Sequence, residues 1–206
     1  MIVPKFTLKR LPYYYRCVCS QEEQGQAYVS SEEIARAAQV HAVQVRRDLA
    51  LFGAMGQAGL GYQVTLLKVK LEEILGLKNT NEAVLVGVGR LGRAIVDYSG
   101  FEHYGLNIVA LFDADPELIG TRVSGREVFP VGELEHIVKR LRIKVGIITV
   151  PADWAQAIAG IMIRAGIRAI WNFAPVSLEV PADAVVRNED LAAGLATLFH
   201  FLAESE

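Results

Sequence analysis

The chain has 206 residues, 52% of them hydrophobic and 21% charged, with a formal net charge of −2. This composition supports a sizeable buried core and excludes an intrinsically disordered chain. No apolar run reaches the roughly 20 residues of a membrane span. The N-terminus, Met1-Ile2-Val3-Pro4-Lys5, lacks the apolar segment of a signal peptide. A cytoplasmic protein with no membrane contact is expected.

The charge is unevenly spread. Residues 1–80 carry ten Lys and Arg against seven Asp and Glu, a net of +3, and residues 81–206 carry eleven against sixteen, a net of −5. A basic N-terminal part on an acidic body predicts two domains, the first facing a polyanion. Cys17 and Cys19 are the two cysteines. On a helix a Cys-x-Cys pair points its thiols to different faces, which predicts partly buried thiols and no metal site.

In chain order, the first expected element is a helix over 10–18. Ser30-Ser31-Glu32-Glu33 then has the form of a capping box. The Ser30 hydroxyl accepts the Glu33 amide hydrogen while the Glu33 carboxylate reaches back. A helix Ser31–Ala38 follows, with Ile34, Ala35 and Ala38 on one side. After the break at Gln39-Val40-His41, a second helix over 42–52 turns Val45, Leu49 and Phe52 inward and leaves Gln44, Arg46, Arg47 and Asp48 to solvent. Two short helices joined tightly, the second carrying Gln and Arg, read as a helix-turn-helix for DNA. Gly53, Gly56, Gly59 and Gly61 with Tyr62-Gln63-Val64 predict a small β-wing, and the polar residues 76–82 a linker. Residues 1–78 are therefore expected to form a winged-helix DNA-binding domain.

From about residue 82 short apolar strands alternate with longer helical stretches. Strands are predicted over 83–86, 107–112, 144–150 and 168–171, with shorter ones near Val128 and Val185. Helices are predicted over 91–98, 132–142 and Ala152–Ala165. Continuous apolar strands suit a parallel sheet covered on both faces, so 79–187 reads as a Rossmann-like, doubly wound α/β domain. The segment 188–206 reads as an amphipathic helix with Leu191, Leu195, Leu198, Phe199 and Leu202 on one stripe. It either covers its own domain or swaps onto a partner subunit.

Gly87-Val88-Gly89-Arg90-Leu91-Gly92 directly follows a predicted strand and opens a predicted helix, the context that gives a G-x-G-x-x-G motif its meaning. Gly87 permits the tight turn, Gly89 lets the backbone approach a pyrophosphate, and Gly92 allows close helix–strand packing. The helix N-terminus offers amide hydrogens and its positive dipole end to phosphate. Asp113 follows the second strand, 21 residues beyond Gly92. An acidic residue there binds ribose hydroxyls and repels a 2′-phosphate, which predicts NAD(H) rather than NADP(H). Asp115 is the alternative for that role. Val150-Pro151-Ala152 and Asn172-Phe173-Ala174-Pro175 lie at strand ends where the nicotinamide belongs. An apolar pocket there favours the neutral reduced ring over the cationic oxidised one.

Hydride transfer needs an acid–base group beside the substrate carbonyl. His41 lies in the helix-turn-helix break, His103 on a polar loop, His136 on a charged helix and His200 near the C-terminus. No Tyr is followed by Lys four residues on, and no separate substrate domain has room. Cofactor binding without turnover is expected.

These motifs together resemble the Rex family of redox-sensing transcriptional repressors. The likeness runs through Arg10-Leu11-Pro12-Tyr13-Tyr14-Tyr15-Arg16, Gln44-Val45-Arg46-Arg47-Asp48-Leu49 with Phe52-Gly53, Gly59-Leu60-Gly61-Tyr62 and the glycine turn. It continues through Phe112-Asp113-Ala114-Asp115-Pro116, Thr149-Val150-Pro151-Ala152, Asn172-Phe173-Ala174-Pro175-Val176 and Asn188-Glu189-Asp190-Leu191. The resemblance implies a homodimer on double-stranded operator DNA, with a swapped C-terminal helix, in which NADH releases the operator and NAD permits binding. It implies DNA contacts from Arg10, Gln44, Arg46, Arg47, Gly59, Gly61 and Tyr62, and an interdomain polar contact of Arg16, Tyr98 and Asp190 that changes with cofactor state. One departure stands out. The family wing carries basic residues before its Gly-x-Gly-Tyr, whereas here Gln57 and Ala58 stand there and residues 51–67 contain no Lys or Arg. Fewer phosphate contacts predict specific but weaker operator binding.

Overall fold

The computed structural model describes residues 4–78 and 81–190, together with 192, 193, 195 and 199. The chain divides into two compact units, Met1–Asn79 and Thr80–Glu206. The division falls one residue beyond the boundary expected from the polar run.

The first unit is built from α1 (Lys5–Glu23), β1 (Tyr28–Val29), α2 (Ser31–Ala38), α3 (Ala42–Ala50), β2 (Tyr62–Gln63) and α4 (Val64–Leu75). Its core joins Leu11, Tyr14 and Val18 of α1 to Ile34 of α2, Val45 and Leu49 of α3, and Leu67 and Leu71 of α4. The capping box forms as its spacing predicts. The Glu33 amide donates to Ser30 Oγ at 3.1 Å, and the Ser30 amide donates to Glu33 Oε2 at 2.7 Å. These two bonds fix where α2 begins, and hence the turn into α3.

Two elements of this unit escape the sequence reading. The strand β1 pairs antiparallel with β2, Val29 opposite Tyr62, and so ties the wing to the start of α2. Helix α4 is disguised because Val64-Thr65-Leu66-Leu67-Lys68-Val69-Lys70-Leu71 nearly alternates apolar and polar residues. The burial of Val64, Leu67 and Leu71 follows the helical period, while Leu66 is 67% exposed and Val69 45%.

The second unit holds a seven-stranded sheet in the order β5-β6-β4-β3-β7-β8-β9. Its strands are β3 (Asn81–Val86), β4 (Leu106–Asp113), β5 (Arg122–Val123), β6 (Arg126–Pro130), β7 (Val145–Ile148), β8 (Ala169–Asn172) and β9 (Val185–Asn188). All pairs are parallel except the β5–β6 hairpin, whose first strand the sequence reading did not include. Side chains alternate between two apolar layers. Val84, Val86 and Ile148 pack with α6 (Leu134–Leu141) and α7 (Ala152–Ala165), and Ala83, Leu85 and Ile147 pack with Ile95 and Val96 of α5 (Arg90–Asp97). This is the doubly wound, Rossmann-like arrangement.

One boundary needs correction. Asn188 closes β9, so the terminal helix cannot begin there. Asp190 Oδ1 accepts from the amides of Ala192 and Ala193, at 2.9 and 3.0 Å, in the manner of a helix N-cap. Leu191, Leu198 and Leu202 of the predicted stripe lie outside the described residues. Among those described, no helix is long and apolar enough to cross a membrane.

Gly61 has φ +91°, and a Cβ added there would stand 2.3 Å from the Val29 carbonyl oxygen. Gly59 has φ +79° with nothing within 4 Å of that position. Gly61→Ala is therefore expected to cost about 2–4 kcal/mol through both backbone strain and overlap. Gly59→Ala should cost only about 1 kcal/mol, from strain alone. Chemical denaturation of the two variants measures the difference.

Candidate dinucleotide site and nucleic-acid interface

Strands β3, β4, β7 and β8 end level with one another. Val86 lies opposite Phe112 on one side and Ile148 on the other, and Ile148 lies opposite Asn172. Successive crossovers from β3 run to opposite sides of the sheet, which opens a crevice at the carboxyl ends of β3 and β7. The glycine turn fills the bottom of that crevice. The Gly87 amide donates to the Phe112 carbonyl at 2.8 Å, and Thr149 Oγ1 donates to the Gly87 carbonyl at 2.6 Å.

The three glycines have separate roles. Gly87 has φ +102°, and a Cβ there would lie 2.8 Å from the Thr149 carbonyl carbon. At Gly92 a Cβ would lie 2.0 Å from the Gly87 oxygen, so close packing of α5 on β3 admits no side chain. Before Gly89 there is nothing within 4 Å. Its open face, at the N-terminus of α5, is a cradle that a side chain would obstruct and that fits a pyrophosphate. Arg90 and Leu91 are exposed beside it, whereas the Val88 side chain is buried in the core and only its backbone serves the turn.

Asp113 closes the other wall. Its Oδ2 accepts from the Val88 amide at 2.6 Å, and its Oδ1 accepts from the amides of Ala114 and Asp115 at 2.7 and 3.0 Å. Among the described residues, backbone amides thus hold the carboxylate at the glycine turn. Asp115 accepts instead from the Glu117 amide at 2.9 Å, within its own loop. Thr149 was not singled out from sequence as a site residue. Its role depends on β7 lying beside β3, which spacing along the chain does not reveal.

The two apolar loops differ in what their residues do. Pro151 is exposed and starts α7, while Val150 packs against the core beneath. Phe173 leans on Trp171 with ring centroids 4.7 Å apart, Ala174 is buried and Pro175 is exposed. Asn172 turns its side chain inward. Its side chain is fully buried, donating to the carbonyls of Ala174 and Val176 and to Asn188 Oδ1 and accepting from the Ala174 amide. The expected cofactor contact becomes a brace for the loop, because a buried amide must find its partners inside the protein.

Arg16 lies in the first unit and Tyr98 and Asp190 in the second. Arg16 sits over the Tyr13 ring at 5.5 Å, and Tyr98 is exposed with its ring edge on Phe101 at 4.8 Å. Cys17 and Cys19 are free and half-buried, and burial pushes both thiols up in pKa. Among the described residues no group of His, Cys, Asp and Glu is placed to hold a metal ion.

In the first unit, Arg46 and Arg47 are exposed on α3. Arg46 Nη1 donates to Ser31 Oγ at 2.7 Å and to Glu32 Oε1 at 3.2 Å. Three expectations change here. Asp48 is not solvent-facing but 1% exposed, and Arg10 grips it with a two-pronged ion pair, Nε to Oδ2 at 2.7 Å and Nη2 to Oδ1 at 2.8 Å. Arg10, half-buried, is thereby tied to α3 within its own domain. Tyr62 is buried under the wing, with its ring against Gly56, since β2 turns it toward the core. Gln44 is half-buried and donates from Nε2 to Asp48 Oδ1 at 2.9 Å. Gly59 is exposed, between exposed Met55 and Leu60.

Known proteins share this arrangement. Residues 2–50 match the family model of a putative DNA-binding protein N-terminus, and residues 78–176 match that of a CoA binding domain. The redox-sensing transcriptional repressor Rex of Clostridium beijerinckii is 43% identical over 97% of this chain and 94% of its own length. That of Desulfitobacterium hafniense is 44% identical over 95% and 93%. The chain belongs to the Rex family. Among solved structures, the Rex-family repressor RSP in complex with β-NAD+ and operator DNA superimposes with a TM-score of 0.92, at 39% identity, covering 100% of this chain and 94% of that one. RSP in complex with β-NADH gives 0.88 at 38% identity, over 100% and 96%.

In this Rex chain, burial by itself would push the Asp48 carboxyl up. Hydrogen bonds from Arg10, Tyr14, Gln44 and Thr7 outweigh burial and hold it below the usual carboxylate range. A carboxyl depressed in the folded state stabilises the fold above its unfolded pKa, and that contribution is lost as pH falls through the folded value. Stability of the first unit is therefore expected to fall as pH drops through and below the ordinary aspartate range. Asp48→Asn should flatten this acid limb in denaturation curves taken at stepped pH.

Proposed function

We propose that this chain is a DNA-binding transcriptional repressor that senses the NADH/NAD ratio, NADH binding releasing its operator. The observation that carries the reading is the open face of Gly89 beside a carboxylate, Asp113, held 2.6 Å from the Val88 amide. The turn 87–92 takes the pyrophosphate on the amides that open α5. Asp113 takes the ribose hydroxyls and repels a 2′-phosphate, which sets NAD(H) over NADP(H). Asp113 is preferred to Asp115 because it is the carboxylate at the turn. Val150, Pro151, Phe173, Ala174 and Pro175 form an apolar surround suited to the uncharged reduced ring. The cofactor supplies a redox state to be read, and the chain contributes binding without turnover.

On the other unit, Gln44, Arg46 and Arg47 of α3 read and anchor the duplex, with the wing backbone at Gly59 and Gly61 alongside. A homodimer of cytoplasmic chains presents two such helices to a palindromic site. Domains are assigned as 1–78 for DNA and 79–188 for NAD(H), with the segment beyond β9 as an exchanged helix. Arg16, Tyr98 and Asp190 are assigned to the contact that differs between cofactor states. Support comes from the RSP structures with operator DNA and β-NAD+ and with β-NADH.

Fluorescence anisotropy on a palindromic operator tests the reading. NADH should weaken operator binding and NAD should not, with no NADH consumed. Steady NADH oxidation with a small carbonyl substrate would sink the proposal. The absence of Lys and Arg from 51–67 favours a second outcome, a chain that holds NAD(H) with weakened DNA binding, recognised by operator binding only at low salt. Asp113→Asn should lower NADH affinity by about 10- to 100-fold and narrow the preference over NADPH, measured by tryptophan quenching.

A further inference from the structure

We propose that Asp48 is a positioning residue for operator reading, fixing the Gln44 side chain on α3 and withholding Arg10 from the nucleic acid. The inference rests on the DNA-binding function proposed above. Asp48 and Gln44 are four residues apart on one helix, hence on one face and one turn apart. The carboxylate accepts from Gln44 Nε2 at 2.9 Å, from Arg10 Nε and Nη2 at 2.7 and 2.8 Å, from Tyr14 Oη at 2.8 Å and from Thr7 Oγ1 at 3.1 Å. Thr7, Arg10 and Tyr14 all belong to α1. Asp48 is therefore gripped by α1 from one side and grips Gln44 from the other.

The chemistry fixes which end of Gln44 is presented. An ionised carboxylate is an acceptor only, so the amide nitrogen must face Asp48 and the carbonyl oxygen must point away from it. Gln44 lies in the first turn of α3, the part of a reading helix that meets base edges. A glutamine already held in one rotamer has less freedom to lose on docking, and it offers a defined acceptor to an exocyclic amino group. Arg10 has the opposite fate. Its planar guanidinium is matched to the carboxylate through two parallel bonds, and a phosphate could take it only by leaving the buried Asp48 charge without its counter-charge. The DNA-facing charge of this unit therefore rests on Arg46 and Arg47, which stay on the exposed face.

The test uses the full-length chain and palindromic operators carrying symmetric single-base changes. Gln44→Ala identifies the base position whose discrimination depends on Gln44, a loss expected on the order of tenfold. Asp48→Asn should lose a comparable factor at that same position. Ser30→Ala, which weakens the same unit at the α2 cap without touching Asp48 or Gln44, should keep the discrimination. An Asp48→Asn protein that binds all operators more weakly by one factor, with discrimination intact, overturns the proposal. Hydrogen exchange of the Gln44 side-chain amide, followed by NMR in the unaltered protein, needs no variant. Slowed exchange is expected, and exchange as fast as at an exposed glutamine overturns the inference. A chain that binds no operator at all overturns the DNA-binding reading and this inference with it, while unchanged discrimination in Asp48→Asn removes the inference alone.

Discussion

The second unit depends on how one backbone segment crosses the end of the sheet. Between Val86 and Arg90 the chain must leave β3, turn back over its own strand end and start a helix whose third residue touches the turn. Gly87 meets this by donating to Phe112 on one side while Thr149 holds its carbonyl on the other. Gly92 meets it by having no side chain where the Gly87 oxygen stands. The strands β4 and β7 are thus fastened to the turn itself, beyond their pairing with β3. The consequence for binding is rigidity. The Asp113 carboxylate is fixed on the turn by the amides of Val88, Ala114 and Asp115, so little ordering cost is left for a dinucleotide to meet.

The same logic governs the first unit through a different group. Asp48 is a charge taken out of water, which is tolerable only because every oxygen is met by donors. Those donors come from α1 and from one turn earlier on α3, so the carboxylate fixes the position of one helix on the other. A hydrophobic core alone would pack α1 and α3 with some freedom to slide. A part-buried ion pair with a fixed fork geometry does not allow that, and a helix that inserts in a groove needs its rotation set.

What could be read from the sequence follows from which interactions are local. The capping box at Ser30 and Glu33, the glycine turn, and the strand–helix alternation after residue 82 each depend on neighbours within a few residues. All three appear where spacing put them. The failures share one cause. Asp48 looks solvent-facing on a helical wheel because its partners Thr7, Arg10 and Tyr14 lie about forty residues upstream. Asn172 sits at a strand end where ligands bind, and only the closeness of Asn188 on β9 explains why its amide turns inward. Tyr62 follows glycines as a wing residue would, yet β1 turns it to the core. Helix α4 was hidden by a local pattern with nearly the period of a strand. Tertiary pairing overrode local signal in each case.

Under the proposed function, the remaining question is how a change of two electrons on a bound ring could move a DNA-binding equilibrium. A ligand shifts two states only by its difference in affinity for them. Taking a population from 1:99 to 99:1 needs about 5.5 kcal/mol, so a homodimer with two identical sites needs about 2.7 kcal/mol from each. The pyrophosphate and ribose contacts cannot provide this, since NADH and NAD share them. The difference must arise at the nicotinamide end, where the oxidised ring carries a positive charge and the reduced ring does not. An apolar surround at Val150, Pro151 and Phe173 penalises the cation, and a cost of a few kcal/mol for an unpaired charge is of the right size. That places the sensing in the two apolar loops and leaves the glycine turn to provide affinity common to both forms. The brace at Asn172 then acquires a purpose, because a loop that could rearrange to admit water would solvate the charge and erase the difference on which the response depends.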